Sequence, residues 1–274
     1  MSACWKISFT TQNPDAAEAA LETFGATIWA THKARDGTLF EIYMEHEPDV
    51  SALALPADAT PEAVYMPPHD WVSESQQNLP PVRVPPYYLH GSHDAPKRGG
   101  WHNIEMQAGL AFGSGHHGTT QGCLSLYAEL IKHMRPLRVA DIGCGSGTLA
   151  IAAAKSGTPH IFASDNDPIA VQVTRTNARL NGVAPRIASF VAGGMQHRYY
   201  QSRKFDVIFA NILARPLIAL AADFEAHLAE GGRLILSGLM NEQARTIMAR
   251  YRSVGLLVER KKIIGPWTSL CLKR

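Results

Sequence analysis

Three stretches of this chain place glycines, carboxylates and an amide at spacings that chemistry can use. The first is Val139-Ala140-Asp141-Ile142-Gly143-Cys144-Gly145-Ser146-Gly147, an apolar run that ends in a glycine-rich turn and passes directly into helical composition from Thr148. Glycines in such a turn let the backbone approach a ligand closely and adopt torsions that a Cβ penalises. A nicotinamide-binding loop, Gly-x-Gly-x-x-Gly, would need its third glycine at position 148. Thr148 stands there instead. The spacing Gly143, Gly145, Gly147 suits a cofactor without a pyrophosphate, whose amino-acid portion lies across the turn. Asp165, 18 residues beyond Gly147, closes the run Phe162-Ala163-Ser164-Asp165. A carboxylate at that strand end can accept two hydrogen bonds from a ribose diol. Loop and carboxylate together imply a nucleoside-containing cofactor.

The second stretch, Gly109-Leu110-Ala111-Phe112-Gly113-Ser114-Gly115-His116-His117-Gly118-Thr119-Thr120, is a glycine-rich loop running into a helix start. Its hydroxyls and free N–H groups are suited to close over a bound ligand, with Thr119 or Thr120 able to cap the helix. His116 and His117 are adjacent and point in different directions, with no carboxylate or thiol nearby, so no metal site is expected. The third is Phe205-Asp206-Val207-Ile208-Phe209-Ala210-Asn211-Ile212-Leu213-Ala214. Asn211 ends this strand with an amide that both donates and accepts, fit to orient a nitrogen nucleophile and take up its developing positive charge. No planar stacking residue follows; Ile212, Leu213 and Ala214 are aliphatic, which suits an alkyl amine better than a flat group.

These residues need a sheet to hold them. Strands are expected at 138–142, 161–165, 187–191, 205–211, 232–237, 256–263 and 268–273, with helices at 119–133, 149–155, 168–181, 215–228 and 241–253. Pro168 and Pro216 each open a helix, and Asn181-Gly182 closes one. Alternation of this kind predicts a seven-stranded, mostly parallel α/β sheet covered on both faces, with the last two strands as an antiparallel hairpin at one edge about the short Gly265-Pro266 turn. Residues 5–9 and 39–44 read as strands and 14–24 as a helix, a small α+β N-terminal domain. Ten of the seventeen prolines then fall between Pro48 and Pro96, a stretch that resists long helices and interior strands. The expected division is an N-terminal recognition domain over 1–91, a linker over 92–108 and a catalytic domain over 109–274.

Composition narrows the setting. The 46% hydrophobic and 18% charged content is that of a globular chain. Basic and acidic residues, 26 against 24, are mixed without a run of Lys or Arg, so no strong phosphate-backbone footprint is indicated: a protein or small-molecule substrate is expected rather than bare nucleic acid, and no direct DNA binding. The four cysteines form no Cys-x-x-Cys pair, and no signal peptide or uninterrupted membrane-length apolar run is evident. A reduced, cytoplasmic protein that binds no membrane is expected.

Taken together, Gly-Leu-Ala-Phe-Gly-Ser-Gly-His-His-Gly-Thr-Thr, Asp-Ile-Gly-Cys-Gly-Ser-Gly, Asn-Ile-Leu-Ala and the Leu-Ser-Gly-Leu of 236–239 resemble the PrmA family of ribosomal protein L11 methyltransferases. Ser114 stands where family members usually carry threonine, keeping the hydroxyl, and Gly118 replaces a frequent proline. The resemblance implies the seven-stranded class I methyltransferase fold, S-adenosylmethionine as cofactor, and Ser114, Gly143, Gly145, Asp165 and Asn211 around the cofactor and amine, with Asn211 as the catalytic group. It further implies methylation of α-amino and lysine ε-amino groups of L11, gripped by the N-terminal domain. The alternatives are a lysine methyltransferase for another protein, such as an electron-transfer flavoprotein subunit, a module that binds the cofactor without catalysis, and a nicotinamide dehydrogenase.

Overall fold

The computed structural model describes residues 4–24, 29–34, 37–44, 46–50, 53–66, 81–106 and 117–274. The chain divides into two compact units, Met1–Glu74 and Ser75–Arg274. The first unit contains β1 (Cys4–Thr11), α1 (Pro14–Phe24), β2 (Trp29–Ala34), β3 (Gly37–Met44) and β4 (Glu62–Met66). Its strands form one antiparallel sheet in the order β2-β3-β1-β4. Alternation puts Ile7 and Phe9 of β1 and Phe40 and Ile42 of β3 on one face, where they bury against Ala17 and Leu21 of α1. The Phe9 and Phe40 rings stack at 5.2 Å.

The second unit opens with a three-stranded sheet, β5 (Val82–Val84), β6 (Tyr87–His90) and β7 (His102–Glu105), in the order β5-β6-β7. β6 is interior to that sheet, although it lies within the proline-rich stretch. Pro85-Pro86 occupies the turn before it, which leaves Tyr87 to His90 free to donate to the ladder. Val82, Tyr87, Leu89 and Ile104 share one core with the helices that follow, and the Tyr87 hydroxyl lies 2.7 Å from that of Ser156. The strands of 82–105, expected in the recognition domain and the linker, thus belong to the larger unit. A linker is read from proline and glycine, but cross-chain burial of apolar side chains is what decides membership.

The helices and strands of the main layer are α2 (Gly118–Leu130), β8 (Arg138–Ile142), α3 (Thr148–Lys155), β9 (His160–Asp165), α4 (Pro168–Leu180), β10 (Ile187–Val191), β11 (Phe205–Asn211), α5 (Ala214–Ala219), α6 (Ala221–His227), β12 (Leu228–Met240), α7 (Ala244–Ser253), β13 (Leu257–Ile264) and β14 (Trp267–Lys273). The seven strands run in the order β10-β9-β8-β11-β12-β14-β13. The first five are parallel, β14 is antiparallel to both its neighbours, and the β13–β14 hairpin closes one edge. Order reverses at β8 beside β11, the switch point where open α/β sheets bind ligands. Two apolar cores cover the faces, one including Val139, Val207 and Ile235 and the other Ala140, Ile208 and Leu234.

The expected helix 215–228 is two helices broken at Leu220. Pro216 is the third residue of the first, still within the turn whose N–H groups have no helical acceptor. The helix expected at 241–253 begins with a 3-10 turn, Asn241–Gln243, before α7, and the strand expected at 232–237 extends over Leu228–Met240.

Candidate active site

The C-terminal ends of β8, β9 and β11 meet around a cavity of about 410 Å³, within the range typical of small-molecule sites. Gly143, Gly145, Asp165 and Asn211 all line it. Ser114 and Phe112 lie outside the described residues.

Backbone hydrogen bonds and two buried side chains of α4 shape the glycine loop. Gly143 N–H and Cys144 N–H both donate to the Ser164 carbonyl, at 2.8 and 3.0 Å, tying the loop to β9. Thr174 donates its hydroxyl to the Gly145 carbonyl at 2.9 Å, and the Asn177 amide donates to the Ser146 carbonyl at 2.9 Å. Gly143 sits at φ +73°, and a Cβ there would lie 2.2 Å from the Ile212 side chain. Gly143 therefore serves close packing against the β11 loop as well as positive φ, and at Gly147, φ +82°, a Cβ would meet Thr174 of α4 at 2.9 Å.

Asp165 is positioned by backbone donors. Gly145 N–H donates to its Oδ2 at 2.9 Å and Asp167 N–H to its Oδ1 at 3.1 Å, which leaves lone pairs on each oxygen for a diol. Asp141, at the end of β8, is different. It is 1% exposed, its Oδ2 accepts from Ala150 N–H at 3.0 Å, and its Oδ1 has no partner among the described residues. Burial pushes its carboxyl up to about 7, opposed by the Ala150 hydrogen bond and reinforced by Asp165.

Asn211 ends β11 one strand away. Its Nδ2 donates to the Thr120 hydroxyl at 3.4 Å, and its Oδ1 is buried without a partner among the described residues. The wall beside it is apolar, made by Ile212, the 74% exposed Leu213 and Trp267. Gly238, at φ +83° in β12, presses on this wall; a Cβ there would meet the Ile212 carbonyl oxygen at 2.2 Å. The cap of α2 is His117 rather than a threonine, with its Nδ1 2.8 Å from the Thr119 hydroxyl and its ring 4.5 Å from that of Trp267. Burial holds His117 below the usual imidazole range, which keeps it neutral at pH 7.

Asp141, His117, Thr120, Gly238 and Trp267 line the cavity without having been singled out as site residues from sequence. Asp141 had a signal, as the acidic residue before the glycine turn. Trp267 had none, because it reaches the site only through the pairing of β14 with β12.

Sheet order, switch-point cavity and glycine loop define a methyltransferase of the seven-stranded class. Residues 62–274 match the family described as ribosomal protein L11 methyltransferase (PrmA). The chain is 41% identical over 263 residues to the ribosomal protein L11 methyltransferase of Brucella suis, covering 93% of this chain and 92% of that one. It is 37% identical over 269 residues to the protein of that name from Mesorhizobium japonicum, covering 94% and 93%. A crystal structure of ribosomal protein L11 methylase from Lactobacillus delbrueckii subsp. bulgaricus superposes with a TM-score of 0.62 at 32% identity, over 71% of this chain and 98% of that one. The chain belongs to the ribosomal protein L11 methyltransferase family.

Proposed function

We propose that this enzyme binds S-adenosylmethionine in the β8–β9–β11 cavity and methylates α-amino and lysine ε-amino groups of ribosomal protein L11. The observation that carries the reading is the buried, unpartnered Asn211 Oδ1 beside an apolar wall. A buried acceptor without a donor costs roughly 1 to 3 kcal/mol. An amine N–H is the donor that would satisfy it, and the carbonyl dipole would then stabilise positive charge forming on nitrogen.

The residues present fit the cofactor. Asp165 offers free lone pairs to a ribose diol, the loop backbone at Gly143 and Gly145 is open to close approach, and Asp141 presents a second orphaned oxygen, suited to an ammonium group. Bound there, S-adenosylmethionine supplies an electrophilic methyl group. The chain's part is to hold a neutral nitrogen in line with it. With ordinary pKa values, deprotonation at pH 7 costs an α-amine about 1.4 kcal/mol and a lysine about 4.6 kcal/mol. Ile212 and Trp267 supply an apolar wall that lowers the lysine cost by disfavouring its charged form.

The Met1–Glu74 unit is read as the grip on the protein substrate, which sets the work of this enzyme beside ribosomal proteins in the cytoplasm. No described helix is long and apolar enough to cross a membrane. Two measurements test the reading. Mass spectrometry of ribosomal proteins from cells with and without the gene should show L11 losing methyl groups, and an unchanged L11 would refute the substrate. A chain starting at Ser75 should keep cofactor binding yet methylate intact L11 poorly. Truncation near His102 would instead remove β5 and β6 from the core of the catalytic unit.

A further inference from the structure

β10 is an edge strand of the large sheet, and the chain that builds this edge is chemically lopsided. From Pro168 to Phe205 there are six Lys and Arg residues and no Asp or Glu, in a chain whose totals are 26 and 24. The six are spread over a helix, a turn and a loop, so they make no run in sequence. The fold brings four of them, Arg175, Arg186, Arg198 and Arg203, about this edge, while Lys204 turns to the Ala226 carbonyl. Arg175 of α4 crosses to the edge strand and donates to the Ser189 carbonyl at 2.6 Å. Arg186, at the entry to β10, donates to the Ala154 carbonyl at 2.9 Å. On the other face the segment 192–204 brings Arg198 over the Tyr199 ring at 5.2 Å and Arg203 over the Phe162 ring at 5.4 Å.

Among the described residues none of these cations is paired with a carboxylate. Carbonyl oxygens and ring faces fix the side chains without neutralising them, and a guanidinium that uses one or two of its five donors keeps the rest. The same edge carries an aromatic shelf. Phe190 and His197 stack at 4.4 Å, and Tyr199 lies 5.0 Å from the first and 5.1 Å from the second. Tyr199 is 37% exposed. Cations beside a partly exposed ring are the two parts of a single-stranded RNA site, one tracking phosphates and the other stacking a base. An acidic peptide would answer the charge but bring no planar group to the shelf, and a second copy would set cation against cation.

We propose that the β10 edge, centred on Arg198 and Tyr199, binds single-stranded or looped RNA by phosphate contacts and base stacking. RNA is chosen over DNA because a ribosomal-protein substrate, the reading given above, is handled beside RNA. The binding assay contains no substrate protein, so its failure would leave that reading standing. The full chain is titrated into a labelled single-stranded RNA of about 20 nucleotides, long enough for a full site, and anisotropy is followed from about 50 to about 200 mM salt. Saturable, salt-sensitive binding is expected. Tyr199→Ala should weaken it about tenfold at every salt concentration, as loss of one stacked base does. Arg198→Gln should reduce the log–log salt slope by about 0.7, the value for one phosphate on a single strand. Both variants should methylate isolated L11 at the wild-type rate, which checks their folding. Absence of saturable binding at the lowest salt, coincident curves for variants and wild type, or equal affinity for polyglutamate would each overturn the proposal.

Discussion

Along the catalytic edge of the sheet, the end of β9 and the ends of β8 and β11 are built on opposite principles. At β9, both Asp165 oxygens already accept backbone N–H groups. At β8 and β11, Asp141 and Asn211 each carry one buried oxygen with no partner among the described residues. A satisfied carboxylate shapes its loop and is ready to bind without rearrangement. A buried orphan lowers stability until a ligand supplies the donor, and native folds keep few of them. In the proposed reading, β9 supplies affinity and β11 turnover, with Asp141 on the strand between them as a titrating group.

The sharpest break in this comparison is Asp165→Ala. Two charge-assisted hydrogen bonds, each worth roughly 1.5 to 3 kcal/mol, would be lost from the cofactor, so calorimetry should show affinity falling by a few kcal/mol. Unchanged affinity would move the ribose elsewhere. NAD, whose pyrophosphate the loop spacing does not suit, should show no saturable binding in the same experiment.

Asn211→Ala should leave cofactor affinity within about tenfold of wild type while slowing methyl transfer at least a hundredfold, a loss of roughly 2.7 kcal/mol of transition-state stabilisation. The deficit should be larger for lysine than for α-amine sites at pH 7 and should narrow as pH rises, because lysine is almost wholly charged at neutrality. Single-turnover assays on both amine types from about pH 7 to about pH 9.5, spanning the two ordinary amine pKa values, decide this. A variant matching wild type on both at pH 7 would reduce Asn211 to a strand end.

Asp141→Asn tests the titrating group. Its folded pKa, about 7, is raised above the ordinary 3.8, so between about pH 4 and about pH 7 the folded state holds a proton that the unfolded state has lost. Stability should therefore fall as pH rises through that window, by at most about 1.4 kcal/mol per pH unit for one group. Denaturant melts of the variant should show a shallower slope there. An identical slope would mean that Asp141 is ionised throughout.

The smallest expected effect is at Thr120, which only braces the Asn211 amide across 3.4 Å. Thr120→Val should reduce turnover severalfold, on the order of the 1 kcal/mol that a neutral hydrogen bond contributes, and leave cofactor affinity unchanged. A loss as large as that of Asn211→Ala would transfer the catalytic role to the α2 start.

What could be read in the linear order was whatever depends on neighbours in sequence. Strand–turn–helix grammar placed all seven strands of the large sheet, because their apolar runs are bounded by glycine, proline and polar turns that act locally. The glycine loop, Asp165 and Asn211 were visible for the same reason: a residue that ends a strand beside a turn declares its position. Relations across the fold were not visible. Tyr87 joins the catalytic core through Ser156, and Trp267 reaches the cavity through β14 pairing with β12. Thr174 and Asn177 hold the glycine loop from another helix. Local composition is silent on such contacts, since burial and hydrogen-bond satisfaction depend on which distant surfaces meet. The sequence by itself determined the chemistry on offer and the elements that carry it. The tertiary structure alone decided that Asp141 and the Oδ1 of the half-buried Asn211 would be shut in one strand apart, each oxygen awaiting a donor, and that Arg175, Arg186, Arg198 and Arg203 would stand about one edge.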